Sequence, residues 1–287
     1  MGEVKMEMLI LVMNIALASF NSVFLHKIPK EKSMITFNII SSAVWFLTLL
    51  SINHFSAELS LQTILWGMLY GLVQAGFLLF KAKAMNTGPV SLTTLIGNCS
   101  LVLSTVFSVI VLNETISIPQ LFAMIALVCS FFLCTYTKGI GKANSMWIIY
   151  CICFFVLAAS VGIIFKCYSK FQGQKNAGDM MIIASVVMIA IFSATKLFNR
   201  NGKRTEKFGT KYLLIAIVCG ILSCVYNRVN IYLSGVLDAS IFFPGFNGGV
   251  CILSLFLGVI LFRERPSKIQ ATGLIAGTLA IITIGLF

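Results

Sequence analysis

Apolar runs recur from one end of the chain to the other, and this constrains the fold more than any other feature. Runs such as Ile64 to Tyr70, Val102 to Leu112 and Leu121 to Tyr136 leave room for ten spans, each needing about 20 residues to cross a bilayer. Of the 287 residues, 59% are apolar and 10% charged, where a soluble domain carries about a quarter charged. The longest polar stretch, Phe198 to Lys211, is of loop size and holds the turn residues Asn199, Asn201 and Gly202. A polytopic membrane protein follows, with its function inside the membrane.

The net charge of +12 invites a nucleic-acid reading. Such a binder gathers Lys and Arg on a solvated face, and here they lie between apolar spans, so no nucleic-acid partner is expected. The nine cysteines mostly sit inside apolar runs, where Cys behaves as a small hydrophobe. Cys151 and Cys153 form a lone C-x-C without a nearby His, too little for a metal site. No disulfide framework, metal or cofactor is implied. The first run, Met8 to Leu25, contains Asn14, Ser19, Asn21 and Ser22 and no small-residue cleavage site follows it, so an uncleaved span is expected.

Helices are predicted over 7 to 26, 33 to 53, 60 to 84, 88 to 112, 116 to 137, 146 to 168, 177 to 197, 212 to 234, 238 to 262 and 268 to 287. The runs lack the alternation of a barrel with a polar lumen. The chain also repeats itself. An offset of 150 pairs Leu103 and Ser104 with Leu253 and Ser254, Glu114 with Glu264, Ser117 with Ser267, and Gln120 with Gln270. Upstream an offset of 149 pairs Gly71 with Gly220, Ser91 with Ser240 and Asn98 with Asn247. Two five-helix halves result, 1 to 144 and 145 to 287. An odd number of spans per half requires the second to enter the membrane inverted, an architecture that puts a transport site near the midplane.

Alternate connections differ sharply in charge. Sixteen of the 21 Lys and Arg fall on one side: Lys27, Lys30 and Lys32, Lys81 and Lys83, Lys138 and Lys142, six from Lys196 to Lys211, and Arg263, Arg265 and Lys268. Lys5, Lys166, Lys170 and Lys175 make up the other side, and Arg228 lies within a span. By the positive-inside rule both termini are outside. The surrounding bilayer is expected to be a plasma (inner) membrane, which in the absence of a processing signal suits a prokaryote.

A helix ending in Leu112, Asn113 and Glu114, with Ser117 and Gln120 opening the next, recurs as Phe262, Arg263 and Glu264 with Ser267 and Gln270. This pattern resembles the EamA-type repeat and places the chain near the drug/metabolite transporter superfamily. The resemblance implies ten helices in two repeats and a cavity lined by helices 1, 3, 4, 6, 8 and 9. It leaves the substrate open among amino acids, nucleotide-linked or phosphorylated metabolites, organic cations and lipid-linked sugars. Relatives of this type usually keep both termini cytoplasmic, against the charge count, which we follow here.

Glu114 and Glu264 are expected to be structural, since a carboxylate near a helix N-terminus is favourable there. All nine acids lie at termini, loops or span ends, which disfavours a proton-coupled cation antiporter. Arg228 is an intramembrane charge beside Asn227, a functional-site hypothesis by default, able to hold a carboxylate or phosphate through paired hydrogen bonds. Asn98 and Asn247 occupy matching mid-depth positions and would bind polar groups. The run Pro244, Gly245, Phe246, Asn247, Gly248 and Gly249 is expected to weaken its helix and free backbone groups towards a cavity. Tyr226 and Phe243 would stack or gate. Lys81, Gln74 and Asn14 complete the candidates, with snorkelling to headgroups the competing reading for Lys81. Gly273 and Gly277 form a small-residue face that serves either an internal contact or a homodimer.

Without H-E-x-x-H, G-x-S-x-G or a phosphate-binding loop, an enzyme is not expected. The expected function is a secondary transporter working by alternating access on a small metabolite, anionic, zwitterionic or neutral, such as an amino acid. The alternatives are a flippase for lipid-linked substrates, an exporter of cations held by rings such as Trp45, Phe243 and Phe246, and a non-transporting scaffold.

Overall fold

An apolar sequence folding in lipid reverses the usual arrangement of a globular protein, and this chain does so throughout. A computed structural model describes residues 2–26, 34–53, 60–88, 90–134, 145–173, 176–198, 209–262 and 267–286. They form α1 (Gly2–His26), α2 (Met34–Ile52), α3 (Leu61–Thr87), α4 (Val90–Leu112), α5 (Ile118–Cys134), α6 (Ser145–Gln172), α7 (Ala177–Phe198), α8 (Thr210–Val236), α9 (Ala239–Phe262) and α10 (Lys268–Leu286). Leu9, Val12 and Met13 on α1, and Leu65, Leu69 and Leu72 on α3, face outward, while Asn14, Ser19, Gln74, Asn227 and Asn230 are buried. Outward apolar faces meet hydrocarbon, and inward polar groups bond between helices. Among the described residues, nine helices are long and apolar enough to cross a membrane. The tenth, α5, has 17 residues, about 26 Å at the helical rise. No strand occurs among the described residues. The protein is an integral, multi-pass, all-helical membrane protein.

Each half ends with the same local chemistry. The Gln120 side chain accepts from the Ser117 N–H at 3.0 Å and the Ser117 hydroxyl from the Gln120 N–H at 3.3 Å. Ser267 and Gln270 repeat this at 2.9 and 3.3 Å. Both are capping boxes that satisfy otherwise orphaned amides at a helix start.

Helix pairing is exchanged between the halves. α3 packs on α6 and α7 while α8 packs on α1 and α2, α4 meets α6 while α9 meets α1, and α5 joins α10. Each of these pairings across the halves has its counterpart with the halves interchanged, consistent with inverted five-helix repeats. Glycines permit the close approaches. A Cβ on Gly71 would stand 2.7 Å from the Ala184 carbonyl oxygen of α7, and one on its repeat mate Gly220 2.8 Å from the Ser41 carbonyl oxygen of α2. Gly273 and Gly277 meet Cys134 and Ser130 of α5, so their small-residue face makes an internal contact.

Three sequence expectations change. First, α3 and α6 run on to Thr87 and Gln172, so that Lys170, expected beyond its helix, lies inside α6; Lys favours helix, and each of these helices runs on past its apolar stretch. Second, α9 continues through Pro244 without a break. Its glycines serve packing, Gly248 against Leu127 and Ile281 and Gly249 against Ile15. Third, the charge on Glu114 serves a helix of the opposite half, as described below. Glu264 lies outside the described residues.

Candidate functional site

Residues three, four and seven apart share one helix face, and such stripes from several helices converge on a central cavity. On α3 the stripe is Gln74, Phe77 and Lys81; on α8 it is Cys219, Ser223, Tyr226 and Asn230; on α9 it is Phe243, Phe246, Asn247 and Val250. The cavity has two chambers, of about 210 Å³ and about 640 Å³. Gln74, Phe77, Lys81, Thr94, Asn98, Tyr226, Phe246 and Asn247 line both. The smaller is closed in by Phe154 and Phe165 of α6, Asn227 and Asn230 of α8, and Phe242 and Phe243 of α9. The larger reaches between α1 and α2, past Asn21, Asn38 and Trp45, towards Leu25 and Phe37 near the adjoining ends of those helices. That is the Lys-rich end of the bundle.

The walls are aromatic and amide-bearing. Tyr226 and Phe246 lie 6.4 Å apart between ring centroids, Phe242 stacks on Phe246 at 6.1 Å, and Phe77 meets Phe154 at 5.3 Å. Lys81 contributes the cavity's one cation among the described residues, its Nζ 5.8 Å from the centroid of the Phe77 ring. No Asp or Glu is among the lining residues. An uncompensated ammonium in a partly dehydrated, aromatic chamber favours an anionic group on whatever enters.

The sequence-derived candidates divide accordingly. Asn98, Asn247, Asn227, Tyr226, Phe243, Lys81 and Gln74 line the cavity. Asn227 and Asn247 donate to carbonyls one turn earlier in their own helices, Ser223 at 2.8 Å and Phe243 at 3.0 Å. Arg228 and Asn14 do not line it. Two residues past Tyr226 on a helix is a rotation of about 200°, so Arg228 points away, against Gly178 and Asn53 where α7 begins and α2 ends. The expected anion-binding guanidinium is thereby corrected, and Lys81 supplies the cavity's cation. Asn14 stands behind the wall, donating to the Asn230 side chain at 2.7 Å. Phe77 and Asn230 were not among the sequence candidates, although the repeat points to both: an offset of 149 carries Lys81 onto Asn230 and Tyr226 onto Phe77.

The opposite end of the bundle is stitched shut. Asn113, at φ 55°, takes the left-handed conformation that Asn tolerates and ends α4. Glu114 then turns towards the other half, where it pairs with Lys166 of α6 at 2.7 Å and accepts from the Ala239 N–H at the start of α9 at 2.7 Å. Lys166 also donates to the Leu237 carbonyl at 2.6 Å, and Lys170 to the Leu112 carbonyl at 2.6 Å. The Lys166 and Glu114 side chains are 6% and 16% exposed, so both charges depend on these partners. The carboxylate serves the amide-rich start of α9, whereas Ser117 and Gln120 cap its neighbour α5.

Ten apolar helices thus surround a polar, aromatic cavity. Residues 5–136, the span of the first five helices, match the EamA-like transporter family, consistent with the drug/metabolite transporter superfamily. A solved structure described only as the crystal structure of a protein superposes with a TM-score of 0.78 at 12% identity, over 97% of this chain and 96% of that one; this likeness shows the fold. No curated protein matches the chain. Members of the matched family are transporters rather than enzymes, and the fold supports a transporter role.

Proposed function

We infer that the protein is a secondary transporter that moves a small anionic or zwitterionic metabolite by alternating access across a plasma membrane, its Lys-rich end cytoplasmic and both termini outside. The carrying observation is Lys81, a cation facing a central cavity whose lining holds no acid. The cavity's asymmetry supports the cycle. In the conformation described here the larger chamber reaches towards the Lys-rich end, while Glu114, Lys166, Lys170 and the backbone of Leu112 and Ala239 tie the halves together at the other. Access from that second side requires these bonds to part, with substrate binding offsetting the cost. Asn98 and Asn247, one from each half, would bind polar groups of the substrate between them.

The test is counterflow in proteoliposomes loaded with organic acids, zwitterions or organic cations. Acids or zwitterions should exchange, and Lys81→Met should lower their apparent affinity about tenfold or more, the loss of one charge-assisted contact. Exchange of cations alone, unaffected by Lys81→Met, would overturn the charge assignment and favour a cation exporter. Sideways entry of lipid-linked compounds without exchange of soluble ones would favour a flippase.

A further inference from the structure

Polar atoms buried in this bundle are mostly paired. Trp147 donates to Thr93 at 3.0 Å, Asn14 to Asn230 at 2.7 Å and Ser169 to the Ile231 carbonyl at 2.8 Å. Of the eight buried side-chain atoms without a partner among the described residues, Asn14 Oδ1, Tyr70 Oη, Ser108 Oγ and Arg228 Nη1 lie away from the cavity lining, and the other four gather at the larger chamber. Asn21 Oδ1, Trp45 Nε1, Gln74 Oε1 and Ser254 Oγ are buried without a hydrogen-bond partner, and all four residues line it. Asn21, Trp45 and Gln74 are 6%, 4% and 6% exposed, and they come from three helices, α1, α2 and α3. Two buried tryptophans make the contrast plain. Trp147 has its own acceptor in the protein, whereas Trp45, held edge-on by Tyr70 at 6.5 Å, does not. Unmet buried polar groups cost their desolvation, and three of them around one chamber point to a ligand that meets them.

We propose that Asn21, Trp45 and Gln74 form a hydroxyl-binding subsite of the larger chamber, so that the transported acid is a hydroxylated one whose acidic group lies at Lys81. The inference rests on reading this cavity as the substrate site and narrows its chemistry. The two amide oxygens need donors, and the indole N–H needs an acceptor. Each hydroxyl donates one hydrogen and can accept as well, so two neighbouring hydroxyls satisfy all three, and they do so whichever way each amide is turned. An ammonium only donates and leaves Trp45 unmet. A site built to hydrogen-bond a hydroxyl rejects the analogue lacking it, because its own groups are then left bare.

The test uses the full-length protein in nanodiscs and matched probes: gluconate against hexanoate, glycerol 3-phosphate against propyl phosphate, and 6-aminohexanoate as the ammonium arm. Affinities come from ligand-induced thermal stabilisation. The hydroxylated member of at least one pair should bind about tenfold or more tightly than its plain counterpart, and the pair that responds tells carboxylate from phosphate. Gln74→Leu and Trp45→Phe should each collapse that ratio towards one. Because Gln74 Oε1 and Trp45 Nε1 have no hydrogen-bond partner in the protein, both variants should keep or raise the melting temperature without ligand. Side chains that only hold the helices together would lower it. Should Gln74→Leu fail to fold, Trp45→Phe, the smaller change, carries the same two readouts. Equal binding within each pair, preference for 6-aminohexanoate, or an unchanged ratio in the variants overturns the subsite while leaving Lys81-dependent acid binding intact. If no acid stabilises the folded protein, the transporter assignment to acids falls with it.

Discussion

At one end of the bundle Glu114, Lys166 and Lys170 find partners in the opposite half, while at the other a cation and several amides face an open chamber. The Glu114–Lys166 pair spans the halves, Glu114 also reaches the Ala239 amide, and Lys170 the Leu112 carbonyl. Lys81 lies over the face of Phe77, and Asn21, Trp45 and Gln74 each leave an atom unmet among the described residues. Both ends derive from the same repeat, so the difference is one of sequence. At an offset of 149, Lys81 corresponds to the neutral Asn230 and Gln74 to Ser223, all four lining the cavity. Paired polar groups hold helices together, and the unpaired ones around the chamber are the proposed contacts to a ligand.

The largest expected effect strikes the stitched end. Lys166→Met leaves the Glu114 carboxylate buried without its counter-charge and should cost about 3 kcal/mol of stability, by thermal unfolding in detergent. The double variant with Glu114→Gln should recover much of that loss. A single variant as stable as the wild type would mean that the ion pair contributes nothing and that the two ends differ only in shape.

A second pair of variants asks whether the halves are equivalent where they interlock. Gly71→Ala brings a methyl against the Ala184 carbonyl, and Gly220→Ala brings one against the Ser41 carbonyl. Backbone cannot swing aside as a side chain does, so each should cost about 1–3 kcal/mol, with similar melting temperatures for both variants. A large disparity would show that one interface carries most of the stability.

The smallest effect concerns the capping boxes. Gln120 is buried and Gln270 is not. Gln120→Ala should cost about 1 kcal/mol and Gln270→Ala a few tenths, because water replaces the lost bond only at the exposed site. Equal losses would mean that the environments of the two boxes do not differ as burial implies.

Much of this architecture was legible in the sequence, because bilayer thickness and backbone satisfaction leave few options to ten apolar runs. The repeated Glu, Ser and Gln pattern located the last helix of each half. Depth along the membrane could also be read: Asn98 and Asn247 do line the cavity. Angle around the helix was read less well. Arg228 was judged by its depth, although its position two residues past Tyr226 already turned it from the stripe formed by Ser223, Tyr226 and Asn230. The partners of Glu114 were beyond reach, since Lys166 and Ala239 come from distant segments. So were the orphan atoms of Asn21 and Trp45, whose lack of partners exists only once neighbours are in place.

The exchanged helix pairing also bears on how the chain is made. The first five helices enter the bilayer before the surfaces they need have been synthesised: α3 awaits α6 and α7, and Asn14 awaits Asn230. Until the second half follows, the Gly71 groove and that amide face lipid. The nascent protein therefore passes through a stage that quality-control proteases can recognise, and two halves expressed as separate polypeptides should accumulate only when produced together.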